Sequence, residues 1–288
     1  MSATQQNELL ALAARISQEV RTLPNLDAIL LTGSVAKGGT DEVSDIDLML
    51  YYRELPTFEQ FERLQQAALA SGGGIYSFAA EEGLACYHFI DGVKVDFAHQ
   101  ATADIEQRVT KFLAKPTVDD ETTHIIMSGI VQGIVLWGEE TVVHWQEQLK
   151  HLPAAYSTEL IQANLRFPPK AILYDMGVKR HDYAFVYELL LESTRRLLNV
   201  WCGLSGTIPP GKIKSSDRVA AKLAVTPQQV GARLCRMWSD PPEQAVELFY
   251  ELVDETLTLV EQLRPEIDAS YARNRLTLPL HKRTFAVS

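Results

Sequence analysis

Apolar residues near the start of the chain recur at helical spacing. Leu9, Leu12, Ala13, Ile16 and Val20 share one face and Pro24 follows as a stop, which predicts a helix over residues 4–23. The pattern then changes to short continuous apolar runs. Ala28-Ile29-Leu30-Leu31 has strand length, breaks into Thr32-Gly33-Ser34 and leads into small residues ending at Gly38-Gly39. Asp45–Tyr52 reads as a second strand, residues 57–70 as a helix and Gly72-Gly73-Gly74 as a flexible break. Two further runs, Leu84–Ile90 and Val93–Ala98, flank Asp91-Gly92. Asp-Gly between β-rich runs predicts a hairpin, because its tight turn needs positive φ at both central positions. From Asp104 to Leu263 nearly every segment has 3.6-residue periodicity, with breaks at Pro116, Pro153, Pro168-Pro169, Pro209-Pro210-Gly211 and Pro241-Pro242. The clearest helix covers residues 183–201, whose apolar stripe runs from Tyr183 to Trp201 with Glu188, Glu192, Arg195 and Arg196 on the other side. The expected fold class is α+β. A small mixed β-sheet flanked by helices fills residues 1–115, and an all-helical domain fills residues 116–288.

Composition narrows the classes of function. The 288 residues are 46% hydrophobic and 22% charged, as in a soluble globular chain with ample material for a core. With 37 acidic against 27 basic residues, the net charge of −10 argues against nucleic acid, whose phosphates call for a basic surplus. The imbalance is local: residues 1–120 hold 18 Asp and Glu against 9 Lys and Arg, whereas residues 121–288 hold 19 against 18. Cys86, Cys202 and Cys235 are odd in number and form no CxxC pattern, which excludes a disulfide framework and fits a reducing compartment. The first twenty residues lack a basic segment followed by an apolar one, and no stretch approaches the ~20 apolar residues of a membrane span. A cytoplasmic protein with no membrane partner is therefore expected.

The chemistry concentrates in LTGSVAKGGTDEVSDIDLML, residues 31–50. A strand delivers the Gly33-Ser34 turn, and the next strand opens with Asp45-Ile46-Asp47. Alternation places Asp45 and Asp47 on one face, ~7 Å apart at their Cα atoms by strand rise. Such a pair repels unless a cation sits between them, and hard carboxylate oxygens suit Mg²⁺. Gly33 lets backbone approach a phosphate, and Ser34 offers a hydroxyl and an N–H. In Val93-Lys94-Val95-Asp96-Phe97, the three apolar residues take one face and leave Lys94 and Asp96 on the other, so Asp96 is a third candidate ligand.

This set, Gly33-Ser34, a ten-residue interval, Asp45-x-Asp47 and a later strand carrying Asp96, resembles the DNA polymerase β-like nucleotidyltransferase superfamily. Within it, order and spacing look most like the small-molecule antibiotic nucleotidyltransferases that act on aminoglycosides and lincosamides. The motif resemblance covers about residues 28–98; the helical half matches in general placement. The resemblance implies AMP transfer from ATP to a hydroxyl of a small molecule, releasing pyrophosphate. It also implies two Mg²⁺ ions on Asp45, Asp47 and Asp96, and triphosphate contact by Gly33 and Ser34. Related enzymes use a helical-domain lysine on the β- and γ-phosphates, and Lys212 and Lys214 are the candidates here. Two alternatives stand beside this expectation: AMP transfer to a partner protein's side chain, and a non-catalytic nucleotide-binding regulator. The general base is open between Asp96 and a glutamate such as Glu188 or Glu192, for which pairing with Arg195 or Arg196 competes. Nothing in the chain signals an oligomeric state.

Overall fold

Ala28, Ile29, Leu30 and Leu31 are all fully buried, and a strand buried on both faces sits inside a sheet, where neighbours on either side satisfy its backbone. β1 (Leu26–Thr32) accordingly pairs antiparallel with β2 (Ile46–Tyr52) on one side and with β6 (Ile134–Trp137) on the other. In this computed structural model, which describes residues 3–280, six strands form one mixed sheet in the order β3-β4-β5-β2-β1-β6. β3 (Gly74–Ala79), β4 (Gly83–Ile90) and β5 (Val93–Ala101) make an antiparallel meander, and β5 meets β2 in parallel. Asp91 and Gly92 turn the chain between β4 and β5 with φ of 51° and 78°, the doubly positive geometry that the sequence predicts.

Strand alternation gives the sheet two different faces. α1 (Ala3–Val20) and α3 (Phe58–Ala70) cover one of them. Leu9, Ala13 and Ile16 of α1 and Phe61 and Ala68 of α3 are buried in one cluster with Ile29, Leu31, Ile46, Leu48, Leu50 and Tyr52. α3 begins on a capping box: the Thr57 hydroxyl accepts from the Gln60 amide, while the Gln60 side chain accepts from the Thr57 amide. The other parity of β2, Asp47, Met49 and Tyr51, points to the reverse face. There Trp145 of α6 (Glu139–Leu149) meets Tyr51 edge-on, with ring centroids 5.1 Å apart.

Two strands depart from the sequence reading. The glycine run expected as a flexible break instead leads directly into β3, which starts at Gly74 and edges the sheet. β3 fully buries none of its six residues and so shows no alternation to read. β6 is four residues long and lies between α5 (Glu121–Gln132) and α6, so its apolar run merges with helical periodicity.

The chain forms two compact units. The first runs to Thr117 and includes Thr122–Pro153; the second holds Val118–Glu121 and continues from Ala154. The stretch 122–153, assigned from sequence to the helical half, lies with the sheet because β6 pairs with β1. α2 (Gly33–Lys37) and α4 (Thr102–Ala114) also belong to the first unit. The second unit holds α7 (Ala154–Asn164), α8 (Tyr183–Leu204), α9 (Ser216–Ala220), α10 (Val230–Ser239), α11 (Pro242–Leu263) and α12 (Ser270–Leu276). Its core is tied by a buried hydrogen bond in which Trp201 Nε1 donates to Thr256 Oγ1 at 2.9 Å. Among the described residues no helix is long and apolar enough to cross a membrane.

Candidate active site

One transverse row of residues crosses four strands at the end of the sheet where β2 begins. Thr32 of β1 lies opposite Asp47 of β2, Asp47 opposite Asp96 of β5, and Asp96 opposite Tyr87 of β4. Residues in register point to the same face, so the sheet brings Asp47 and Asp96 side by side. Asp45 shares their side, and one oxygen of each of Asp45, Asp47 and Asp96 lies within 4.8 Å of the others. All three carboxylates read from the sequence therefore converge.

β1 closes the site from the neighbouring strand. It ends at Thr32, and α2 starts with Gly33 at φ +69°. A Cβ on Gly33 would lie 1.7 Å from Asp47 Oδ2. Glycine is required twice over, for the left-handed backbone and for the room it leaves the carboxylate. Ser34 follows in the first turn of α2, so the Gly33-Ser34 turn and the acid cluster share one corner of the sheet.

Lys94 and Tyr76 complete the constellation. The ammonium of Lys94 donates to Asp45 Oδ2 at 3.0 Å and to Asp96 Oδ2 at 2.8 Å, and the Tyr76 hydroxyl donates to Asp96 Oδ1 at 3.1 Å. Both oxygens of Asp96 are thus held. Partial burial works to lower the Lys94 pKa, but its hydrogen bonds with Asp96, Tyr76 and Asp45 outweigh that and raise it above the usual lysine value. The sequence offered a signal for Lys94, its shared parity with Asp96, and none for Tyr76, which arrives on the unforeseen strand β3.

Other sequence candidates go elsewhere. Tyr51 and Tyr52 are buried in the sheet's core, and burial raises both phenol pKa values. His99 is also buried, sharing a 2.8 Å hydrogen bond between its Nδ1 and the Tyr52 hydroxyl. His88 packs its ring edge-on against Phe97, with centroids 5.0 Å apart. In the second unit Glu192 pairs with Arg196 one turn on, as intrahelical spacing favours, and Glu188 is exposed on α8. Lys212 and Lys214 are exposed on the segment between α8 and α9.

The donor set fits a hard divalent cation. It consists of carboxylate oxygens alone, the chemistry that suits Mg²⁺ rather than a softer ion. A tethered ammonium already occupies the space between two of the carboxylates as a cation would.

Similarity to known proteins falls on the same region. Residues 13–116 match the family described as nucleotidyltransferase domain. A protein of Methanocaldococcus jannaschii, named provisionally as a protein adenylyltransferase, is 29% identical over 63 residues, 21% of this chain. The match spans 64% of that relative's length, short of two thirds. A solved nucleotidyltransferase-like protein from Exiguobacterium sibiricum aligns over 88% of this chain and 79% of its own, with 11% identity and a TM-score of 0.34.

Proposed function

We propose that this chain, whose residues 13–116 match the nucleotidyltransferase domain family, is a nucleotidyltransferase of the DNA polymerase β-like kind that moves AMP from ATP to a hydroxyl of a small molecule, releasing pyrophosphate. The convergence of Asp45, Asp47 and Asp96 beside Gly33 carries the proposal.

In this reading the three carboxylates hold two Mg²⁺ ions. Bound there, the ions supply Lewis-acid stabilisation of the in-line phosphoryl transition state and lower the pKa of the attacking hydroxyl. The chain's own part is positioning. Gly33 keeps backbone close to the triphosphate with no side chain in the way, and Ser34 offers its hydroxyl and amide. Tyr76 donates to one oxygen of Asp96, the candidate base, and in the ligand-free site Lys94 donates to the other. The acid-rich first 120 residues, 18 Asp and Glu against 9 Lys and Arg, favour a cationic acceptor of the aminoglycoside kind over a neutral one such as a lincosamide.

A second reading, transfer of AMP to a protein side chain, is favoured by the name of the Methanocaldococcus relative. One experiment separates the two. Pyrophosphate release is screened with four nucleoside triphosphates against hydroxylated antibiotics and metabolites, and in parallel the protein is incubated with α-³²P-ATP and a cell extract. The expected outcome is acceptor-dependent release with ATP and no labelled protein band. Labelled protein without small-molecule turnover selects the second reading. Asp47→Asn should bring release to background while the melting temperature holds or rises slightly, because one like charge leaves the cluster. Near wild-type turnover of Asp47→Asn with Mg²⁺ would overturn the carboxylate assignment.

A further inference from the structure

Lys94 occupies the position that chemistry reserves for a metal. Its ammonium bridges Asp45 and Asp96 at 3.0 and 2.8 Å, at the point where the oxygens of the cluster converge. The rings of Tyr87 and Tyr76 flank it, with centroids 5.4 and 5.7 Å from Nζ, a distance at which aromatic faces attract a cation. The side chain is held there while staying 31% exposed, so it has a route out to water.

Two consequences follow from charge. Three carboxylates this close repel one another, and Lys94 supplies one permanent positive charge at no cost in association entropy, since it is tethered to the same strand as Asp96. A divalent ion entering the cluster then meets two of its three ligands already engaged, and it must displace the ammonium to use them. Once displaced, the ammonium has lost its anionic partners and needs others. A triphosphate brings such partners to the same corner, and Mg²⁺ characteristically arrives shared between carboxylates and phosphates.

We propose that Lys94 is a built-in counter-ion that keeps the acid cluster weakly receptive to divalent metal until a nucleotide is present, so that metal and nucleotide bind cooperatively. In the nucleotide complex its ammonium moves from Asp45 and Asp96 to a phosphate oxygen. This inference rests on the nucleotidyltransferase reading of the cluster and adds an order to it: metal alone binds poorly, metal with nucleotide binds well. Binding linkage makes the effect reciprocal, so the metal strengthens nucleotide binding by the same factor.

The test measures Mn²⁺ binding to the full chain by electron paramagnetic resonance, with and without a non-hydrolysable ATP analogue, and needs no turnover. Lys94→Met keeps an unbranched apolar stem between the two tyrosine rings but removes the charge; Lys94→Gln is a second variant should the first melt early. The expected result is Mn²⁺ binding without nucleotide at least about 10-fold tighter in the variants than in the wild type. The gain in Mn²⁺ affinity on adding the analogue should shrink by a similar factor. Nucleotide-free affinity that is unchanged or weaker in the variants overturns the role of Lys94, while wild-type binding that still needs the analogue leaves the nucleotidyltransferase reading standing. Wild type that binds no Mn²⁺ even with the analogue overturns both. Asp47→Asn in the Lys94→Met background should abolish the tight site; a site that survives it lies elsewhere and counts against the proposal.

Discussion

Gly33 and Asp47 stand 14 positions apart and are bound by a single steric fact, the 1.7 Å that would separate a Cβ on one from a carboxylate oxygen on the other. Gly33→Ala therefore tests the site without removing any functional group. Its left-handed φ of +69° costs a non-glycine residue about 1–2 kcal/mol, and Asp47 must turn away from Asp45 and Asp96. Displacement of a catalytic group by about 1 Å is enough to cost about 100-fold in rate. The variant should melt a few degrees lower and lose pyrophosphate release by about that factor; wild-type turnover would show that Asp47 does not need its present rotamer. Residues 33, 34, 45, 47 and 96 could be picked from the sequence as candidates because each proposed chemistry demands a particular side chain. Lys94 could be placed on the face of Asp96 by alternation, but its partners could not, since Asp45 lies 49 positions away.

At the level of elements, the acids depend on the parallel pairing of β2 with β5. A buried polar pair ties these strands together: Tyr52 of β2 and His99 of β5 share a 2.8 Å hydrogen bond, and both are nearly inaccessible. Burial, aided by the nearby His88, lowers the His99 pKa to about 4, against about 6.5 in an unfolded chain. The unfolded state therefore takes up the proton first as pH falls. The stability that neutral His99 contributes is complete above pH 6.5 and is lost progressively towards pH 4, on the order of 3 kcal/mol in all. Urea titrations of wild type and His99→Gln should show a stability difference that narrows steadily over this range. A difference that stays constant from pH 7 to pH 4 would mean that His99 does not titrate there. Hairpin β4–β5 could be anticipated from Asp91-Gly92 because its turn is local; the partner of β5 across the sheet has no local signature.

For the molecule as a whole, the placement of residues 122–153 decides where the sheet-bearing unit ends. β6 pairs with the fully buried β1, so a chain cut at residue 115 would leave one edge of β1 without its strand, while one cut at 153 retains it. The fragment of residues 1–153 should give a cooperative thermal transition, and the fragment of residues 1–115 should melt much lower or aggregate through the uncovered edge; equal stability of the two would remove β6 from the unit's core. By itself the sequence determined which elements are amphipathic helices, where the Asp91-Gly92 hairpin turns, and which residues are candidates for phosphate and metal chemistry, because periodicity, turn geometry and ligand hardness all act over a few residues. Tertiary structure alone decided the order of the six strands, the row that sets Asp47 beside Asp96, the entry of Lys94 and Tyr76 into the acid cluster, and the return of β6 to the sheet. Each of those rests on hydrogen bonding or charge compensation between segments tens of residues apart, and such pairings exist only once the chain has closed on itself.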